Sequence, residues 1–118
     1  MKCLSFNCIG LASTSKKLAM RRLIESDPTD IITLQETFSI VQPIEQTLLS
    51  IRPRWHFHAM DAIGRARGLA IGYNPHTINI FSTWGGKGFI GMDIFPAELG
   101  ESLRIINIYG PCQDREDL

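Results

Sequence analysis

Asp30-Ile31-Ile32-Thr33-Leu34-Gln35-Glu36-Thr37 is an apolar run that ends in an amide and a carboxylate. A short run of this kind, rich in β-branched side chains and bounded by polar residues, predicts a buried strand. Upstream, residues 2–8 read as a second buried strand, Cys3-Leu4-Ser5-Phe6-Asn7 being its body. Gly10 and the cluster Ser13, Thr14, Ser15 then open a helix that runs to about Ser26, with Leu18, Ala19, Leu23 and Ile24 as its apolar stripe. Asp27-Pro28 stops it, because proline disfavours helical geometry in the residue before it. A strand, a crossover helix and a parallel strand need about 30 residues, the spacing that separates Asn7 from Glu36. In such a unit both residues stand at the carboxyl ends of adjacent strands, where open α/β sheets receive ligands.

Downstream, Pro43 fits the first turn of a second helix, whose apolar positions Ile44, Leu48, Leu49 and Ile51 continue to about Arg52 before Pro53. Five strand-like segments follow: Trp55 to Met60, Leu69 to Tyr73, Thr77 to Trp84, Phe89 to Phe95 and Leu103 to Tyr109. Turn chemistry at Asn74-Pro75, at Gly85-Gly86-Lys87-Gly88 and across Pro96 to Ser102 predicts an antiparallel meander. The chain shows no internal repeat and no low-complexity tract.

The 118 residues carry 12 basic and 12 acidic side chains, so no global field draws the chain onto a polyanion. The basic clusters, Lys16, Lys17, Arg21 and Arg22, then Arg65 and Arg67, read as solvated surface. Three cysteines form no CxxC pair, and Cys3 and Cys8 would point to opposite faces of one strand. A disulfide scaffold is not expected, which places the chain in a reducing, intracellular compartment. Neither a signal peptide nor a membrane-spanning stretch is visible.

A carboxylate and an amide at neighbouring strand ends are ligands suited to a hard cation such as Mg²⁺, which prefers oxygen and keeps several waters. Glu36 is the stronger of the two, since a carboxylate after Ile31, Ile32 and Leu34 is costly to bury unless a cation or hydrogen bonds receive it. Read alone, each residue has a plainer alternative. Glu36 can face solvent or cap Thr37, Asn7 can form a turn, and Tyr109 can be a half-buried core tyrosine. His56 and His58 alternate on one strand and face one side, but two imidazoles fall short of a zinc site. Gly64-Arg65-Ala66-Arg67-Gly68 lacks the ending of a phosphate loop and reads as a flexible connection.

Leu4-Ser5-Phe6-Asn7-Cys8-Ile9-Gly10-Leu11, the Asp30 to Thr37 run, Gly68-Leu69-Ala70-Ile71 and Asn107-Ile108-Tyr109-Gly110-Pro111 together resemble the endonuclease/exonuclease/phosphatase superfamily in order and spacing. Within it the likeness is greatest to the apurinic-endonuclease-like domain of plant LINE-type (non-LTR) retrotransposons. The resemblance covers nearly the whole chain, and Leu34-Gln35-Glu36-Thr37 is its most specific part. It implies the N-terminal half of a DNase I-like, four-layer α/β sandwich, with residues 1–118 as a single incomplete domain. It also implies a Mg²⁺-dependent phosphodiesterase, Mn²⁺ being able to replace Mg²⁺, that acts on the DNA backbone in the nucleus. Glu36 matches the metal-binding glutamate, Asn7 the active-site asparagine that shares the metal site, and Tyr109 the phosphate-contacting tyrosine. Arg67 stands where relatives often have glycine and would meet a polyanionic substrate.

The chain also departs from that pattern. Ile9 replaces a common metal-contacting aspartate, and Phe6 replaces a tryptophan. The family's second half supplies an Asp-x-Asn motif and a Ser-Asp-His motif, and neither occurs in these 118 residues. The expectation is therefore an N-terminal part of a DNA endonuclease domain, catalytically incomplete as it stands. The alternative is a non-enzymatic, truncated retrotransposon relic that binds nucleic acid weakly or self-associates through an uncovered sheet face, expected to be the inner face of a half-sandwich. A small α/β binding domain whose strand ends match by chance is a third reading.

Overall fold

Among the described residues nine elements follow one another: β1 (Cys3–Asn7), α1 (Thr14–Glu25), β2 (Ile31–Gln35), α2 (Val41–Ile51), β3 (His56–Met60), β4 (Leu69–Tyr73), β5 (Ile78–Gly86), β6 (Phe89–Pro96) and β7 (Leu103–Ile108). The computed structural model describes residues 1–8, 10, 14–26, 28–37, 41–60 and 68–108, with residues 41–44 as backbone alone. β1 and β2 run parallel across the α1 crossover, in register from Cys3 opposite Ile31 to Asn7 opposite Gln35. β4 pairs antiparallel with β2 on its other side, and β3 with β4, which gives the order β1-β2-β4-β3. β5, β6 and β7 form a separate antiparallel sheet. The result is the mixed α/β, two-sheet architecture of the DNase I-like type.

The late strands pair antiparallel, as their alternation predicts, but they divide between two sheets. Asn74-Pro75 makes its turn, with the Thr77 and Ile78 amides donating to the Asn74 carbonyl at 3.2 and 3.0 Å. That turn carries the chain from one sheet to the other instead of closing a hairpin. The reason is topological: β4 is already flanked by β2 and β3 and offers β5 no free edge.

Residues alternate between the two faces of a strand, so β2 serves two cores at once. Ile32 and Leu34 pack with Met20 and Ile24 of α1 and with Leu48 and Ile51 of α2. Ile31, on the opposite face, joins Leu69, Ile71 and Tyr73 of β4 against Ile78, Ile90, Met92 and Ile94 of the second sheet. The buried face of α1 differs from the expected stripe. Met20 and Ile24 stack four residues apart, while Leu18, two residues and so about 200° from Met20, is exposed. Among the described residues, no helix is long and apolar enough to cross a membrane.

The inner face of the four-stranded sheet is covered by the second sheet, contrary to the half-sandwich expectation. The apolar surface left open lies instead on the outer face of β5-β6-β7, where none of the described helices packs. Phe81 and Ile108 are each 63% exposed there, with Phe95 and Ile106 also exposed. Trp84 is half-buried on this face because its ring lies on Gly91, where an added Cβ would fall 2.7 Å from the ring. Its indole N–H donates to Asp93 (3.2 Å), and the Arg104 guanidinium, bonded to the same carboxylate at 2.7 Å, stands 5.1 Å above the ring centroid. Gly91→Ala is expected to unseat the indole and cost about 1–3 kcal/mol through overpacking. Urea denaturation followed by Trp84 fluorescence measures the effect, with Trp55 as the internal reference in the other core.

Candidate metal and phosphate site at the strand ends

Asn7 is the last residue of β1 and sits opposite Gln35, the last residue of β2. Past these ends the two segments stay bonded: the Cys8 amide donates to the Gln35 carbonyl and the Gly10 amide to the Glu36 carbonyl, both at 2.8 Å. Asn7 is exposed and shares the alternation of Ser5, whose hydroxyl accepts from Gln35 Nε2 at 3.2 Å. Its side therefore faces the mouth between the two sheets. Glu36 is 8% exposed, which excludes the solvent-facing alternative. The structure thus places these two candidate residues at the ends of neighbouring strands. Tyr109 and Arg67 lie outside the described residues, as does Ile9.

Glu36 has φ of 54°, the left-handed conformation, and among the described residues no other non-glycine has a positive φ. For an L-residue this costs roughly 1–2 kcal/mol, so surrounding structure must hold it in place. Thr37 beyond it is tied by its amide to the Gly68 carbonyl at 3.2 Å, which couples the strand end to the start of β4. The Thr37 hydroxyl is fully buried and has no hydrogen-bond partner among the described residues. A positive φ and a buried hydroxyl without a partner among the described residues thus fall at consecutive positions of this strand end.

Charge gathers at the same place. Lys16, in the first turn of α1, donates from Nζ to the Cys8 carbonyl at 2.9 Å. Burial pushes the Cys8 thiol up to about 12; Lys16 pulls it down and Glu36 raises it further, so both charges act on this one group. Burial thus disfavours the Cys8 thiolate. Reading Lys16 as solvated surface missed its contact with the strand end. Its place in the first helical turn, just after the Asn7 strand, was the available signal.

The donors fit a hard cation. Glu36 and Asn7 are oxygen-bearing side chains, and no group of three or more His, Cys, Asp or Glu gathers among the described residues. One carboxylate suits Mg²⁺, which is held by one or two carboxylates together with waters and substrate phosphates, and it does not suit zinc. His56 and His58 turn to Tyr73 instead. His56 Nδ1 lies 3.0 Å from the Tyr73 hydroxyl and the His58 ring stacks on the tyrosine at 6.4 Å, so these imidazoles pack in the sheet as ring neighbours.

No protein-family model matches the chain, and no curated protein does. Solved structures do match in fold. An AP endonuclease, LMAP, from Leishmania major superposes with a TM-score of 0.67 at 18% identity over 92% of this chain and 40% of that one. TDP2 from D. rerio, complexed with a single-strand DNA product, gives 0.61 at 13% identity over 96% and 47%. ANGEL2, a 2',3'-cyclic phosphatase, gives 0.62 at 12% identity over 91% and 40%. The chain spans under half the length of each of these structures.

The strained backbone makes Glu36 separable into side chain and conformation. Glu36→Gly is expected to be about 1 kcal/mol more stable than Glu36→Ala, because glycine takes a positive φ without penalty and alanine does not. Chemical denaturation of the two variants checks this, and equal stabilities would contradict the left-handed assignment.

Proposed function

We propose that this chain is the N-terminal part of a Mg²⁺-dependent phosphodiesterase, a DNA endonuclease domain of retrotransposon type, and that it contributes half of the catalytic site. The observation that carries the reading is Glu36, a buried carboxylate held in a strained conformation at the carboxyl end of β2, beside Asn7 at the end of β1. The neighbours in fold support it: an AP endonuclease, a 2',3'-cyclic phosphatase and an enzyme holding a DNA product all handle phosphate esters.

In this reading Glu36 holds the cation through its carboxylate oxygens, and Asn7 orients the phosphate or a water with its amide. When bound, Mg²⁺, or Mn²⁺ in its place, neutralises phosphate charge and stabilises the leaving oxygen. Lys16 adds positive charge beside the Cys8 carbonyl. Tyr109, directly after β7, donates its phenol to a phosphate oxygen, and Arg67, directly before Gly68, meets the DNA backbone. With DNA as the partner, the nucleus is the site of action.

General-base catalysis needs a group within hydrogen-bond reach of the attacking water, and the motifs that would supply one in the resembling family are not in these 118 residues. Saturable Mn²⁺ binding, followed by electron paramagnetic resonance, is expected for the wild-type chain and lost in Glu36→Gln. Supercoiled plasmid in Mg²⁺ stays intact with this chain alone. Efficient nicking that disappears in Glu36→Ala would overturn the half-site reading.

The open apolar face of β5-β6-β7 favours a second reading, a retrotransposon relic without activity that self-associates and binds nucleic acid weakly. Light scattering is expected to give a mass above the monomer. A monodisperse monomer counts against it.

A further inference from the structure

Leu103, Ile105 and Asn107 alternate onto one face of β7, the face turned toward the four-stranded sheet. The first two pack against the inter-sheet core as aliphatic side chains do. Asn107 occupies the next inward position at 2% exposure, where another aliphatic residue would fill the space without a polar group to satisfy. Its amide is satisfied across the sheet boundary. Nδ2 donates to the Leu34 carbonyl at 3.0 Å and to the Ala70 carbonyl at 2.9 Å, while Oδ1 accepts from Gln35 Nε2 at 2.7 Å. Leu34 and Ala70 face each other on β2 and β4, so one side chain from the second sheet bonds both strands and the residue next to Glu36.

We propose that Asn107 is a positioning residue for the strand-end site: through Gln35 and the Leu34 carbonyl it sets the geometry in which Glu36 and Asn7 stand. The inference rests on the reading of these two residues as metal and phosphate ligands. Gln35 is held at three points, by Asn107 and Ser5 on its side chain and by the Cys8 amide on its carbonyl. Glu36 follows immediately, with its carbonyl bonded to the Gly10 amide and the next amide bonded to Gly68. A left-handed glutamate persists only where its neighbours fix the chain on both sides. The Gly10 and Gly68 bonds do so after β2, and Asn107 does so before its end. An aliphatic residue would join the two sheets equally well but would not grip the amide and carbonyl that lead into Glu36.

Two variants and two readouts test this. Asn107→Leu removes the whole clamp at similar volume, and Gln35→Ala removes the Oδ1 contact together with the Ser5 bond but leaves the Nδ2 bonds to Leu34 and Ala70 in place, which guards against a variant that fails to fold. Amide hydrogen exchange is expected to lose protection at Cys8, Gly10 and Thr37 by at least about tenfold more than at Trp55 and Ala97, whose bonds lie elsewhere, with a smaller loss of the same pattern in Gln35→Ala. Mn²⁺ affinity, measured where each protein is folded, is expected to fall about tenfold in Asn107→Leu, the scale of a lost outer-shell contact. Uniform loss of protection at all these amides would overturn the proposal and leave Asn107 as a tie between sheets. So would unchanged Mn²⁺ affinity in a wild-type protein that binds the ion through Glu36. Wild-type binding no stronger than that of Glu36→Gln would defeat the metal-site reading instead, while the exchange pattern still decides whether Asn107 fixes the strand end.

Discussion

Burial of β2 on both faces is the constraint from which the rest of the structure follows. Ile32 and Leu34 need cover on one side and Ile31 on the other, so the strand cannot lie at a surface. Helices α1 and α2 cover the first side, and the second sheet covers the other. β2 is flanked as well by β1 in parallel and β4 in antiparallel pairing, which satisfies its backbone on both edges. A strand enclosed in this way leaves only its two ends, and Glu36 and Thr37 follow the carboxyl one, both still buried. The candidate site stands at that end.

That β2 is a buried strand parallel to β1 was legible in the sequence, but its cover on both faces was not. An unbroken apolar run between polar boundaries, about 30 residues after a similar run, carries the parallel pair and the placement of Asn7 beside Gln35. The assignment of later strands to sheets was not legible. Asn-Pro chemistry marks a turn but does not say whether the chain returns to the same sheet or crosses to another, since that depends on which edges are already taken. The α1 stripe was misread for a related reason: a two-residue step puts Leu18 on the opposite side from Met20, and only the packed sheet shows which side wins.

The candidate site was partly readable. Carboxylate and amide at strand ends made Glu36 and Asn7 candidates, but the conformation of Glu36 was hidden, because glutamate has no special tendency toward positive φ and tertiary contacts impose it. Asn107 was visible as a residue type and missed as a role. Period-two alternation puts it in line with Leu103 and Ile105, and a polar residue in an inward row is a demand for partners. Those partners come from β2 and β4, so the pattern flags the residue but not what it holds.

The Asn107 bonds to Gln35 and Leu34 join residues 72 and 73 positions apart. Closing such long loops costs entropy before any contact repays it, whereas the β5-β6-β7 hairpins form from near neighbours in sequence. During folding the three-stranded sheet can therefore assemble early, and the inter-sheet bonds at Asn107 come late, once both sheets exist. The strand end bearing Glu36 reaches its final shape in that last step. A partly folded chain can hold most of its secondary structure and still lack the final geometry of that strand end.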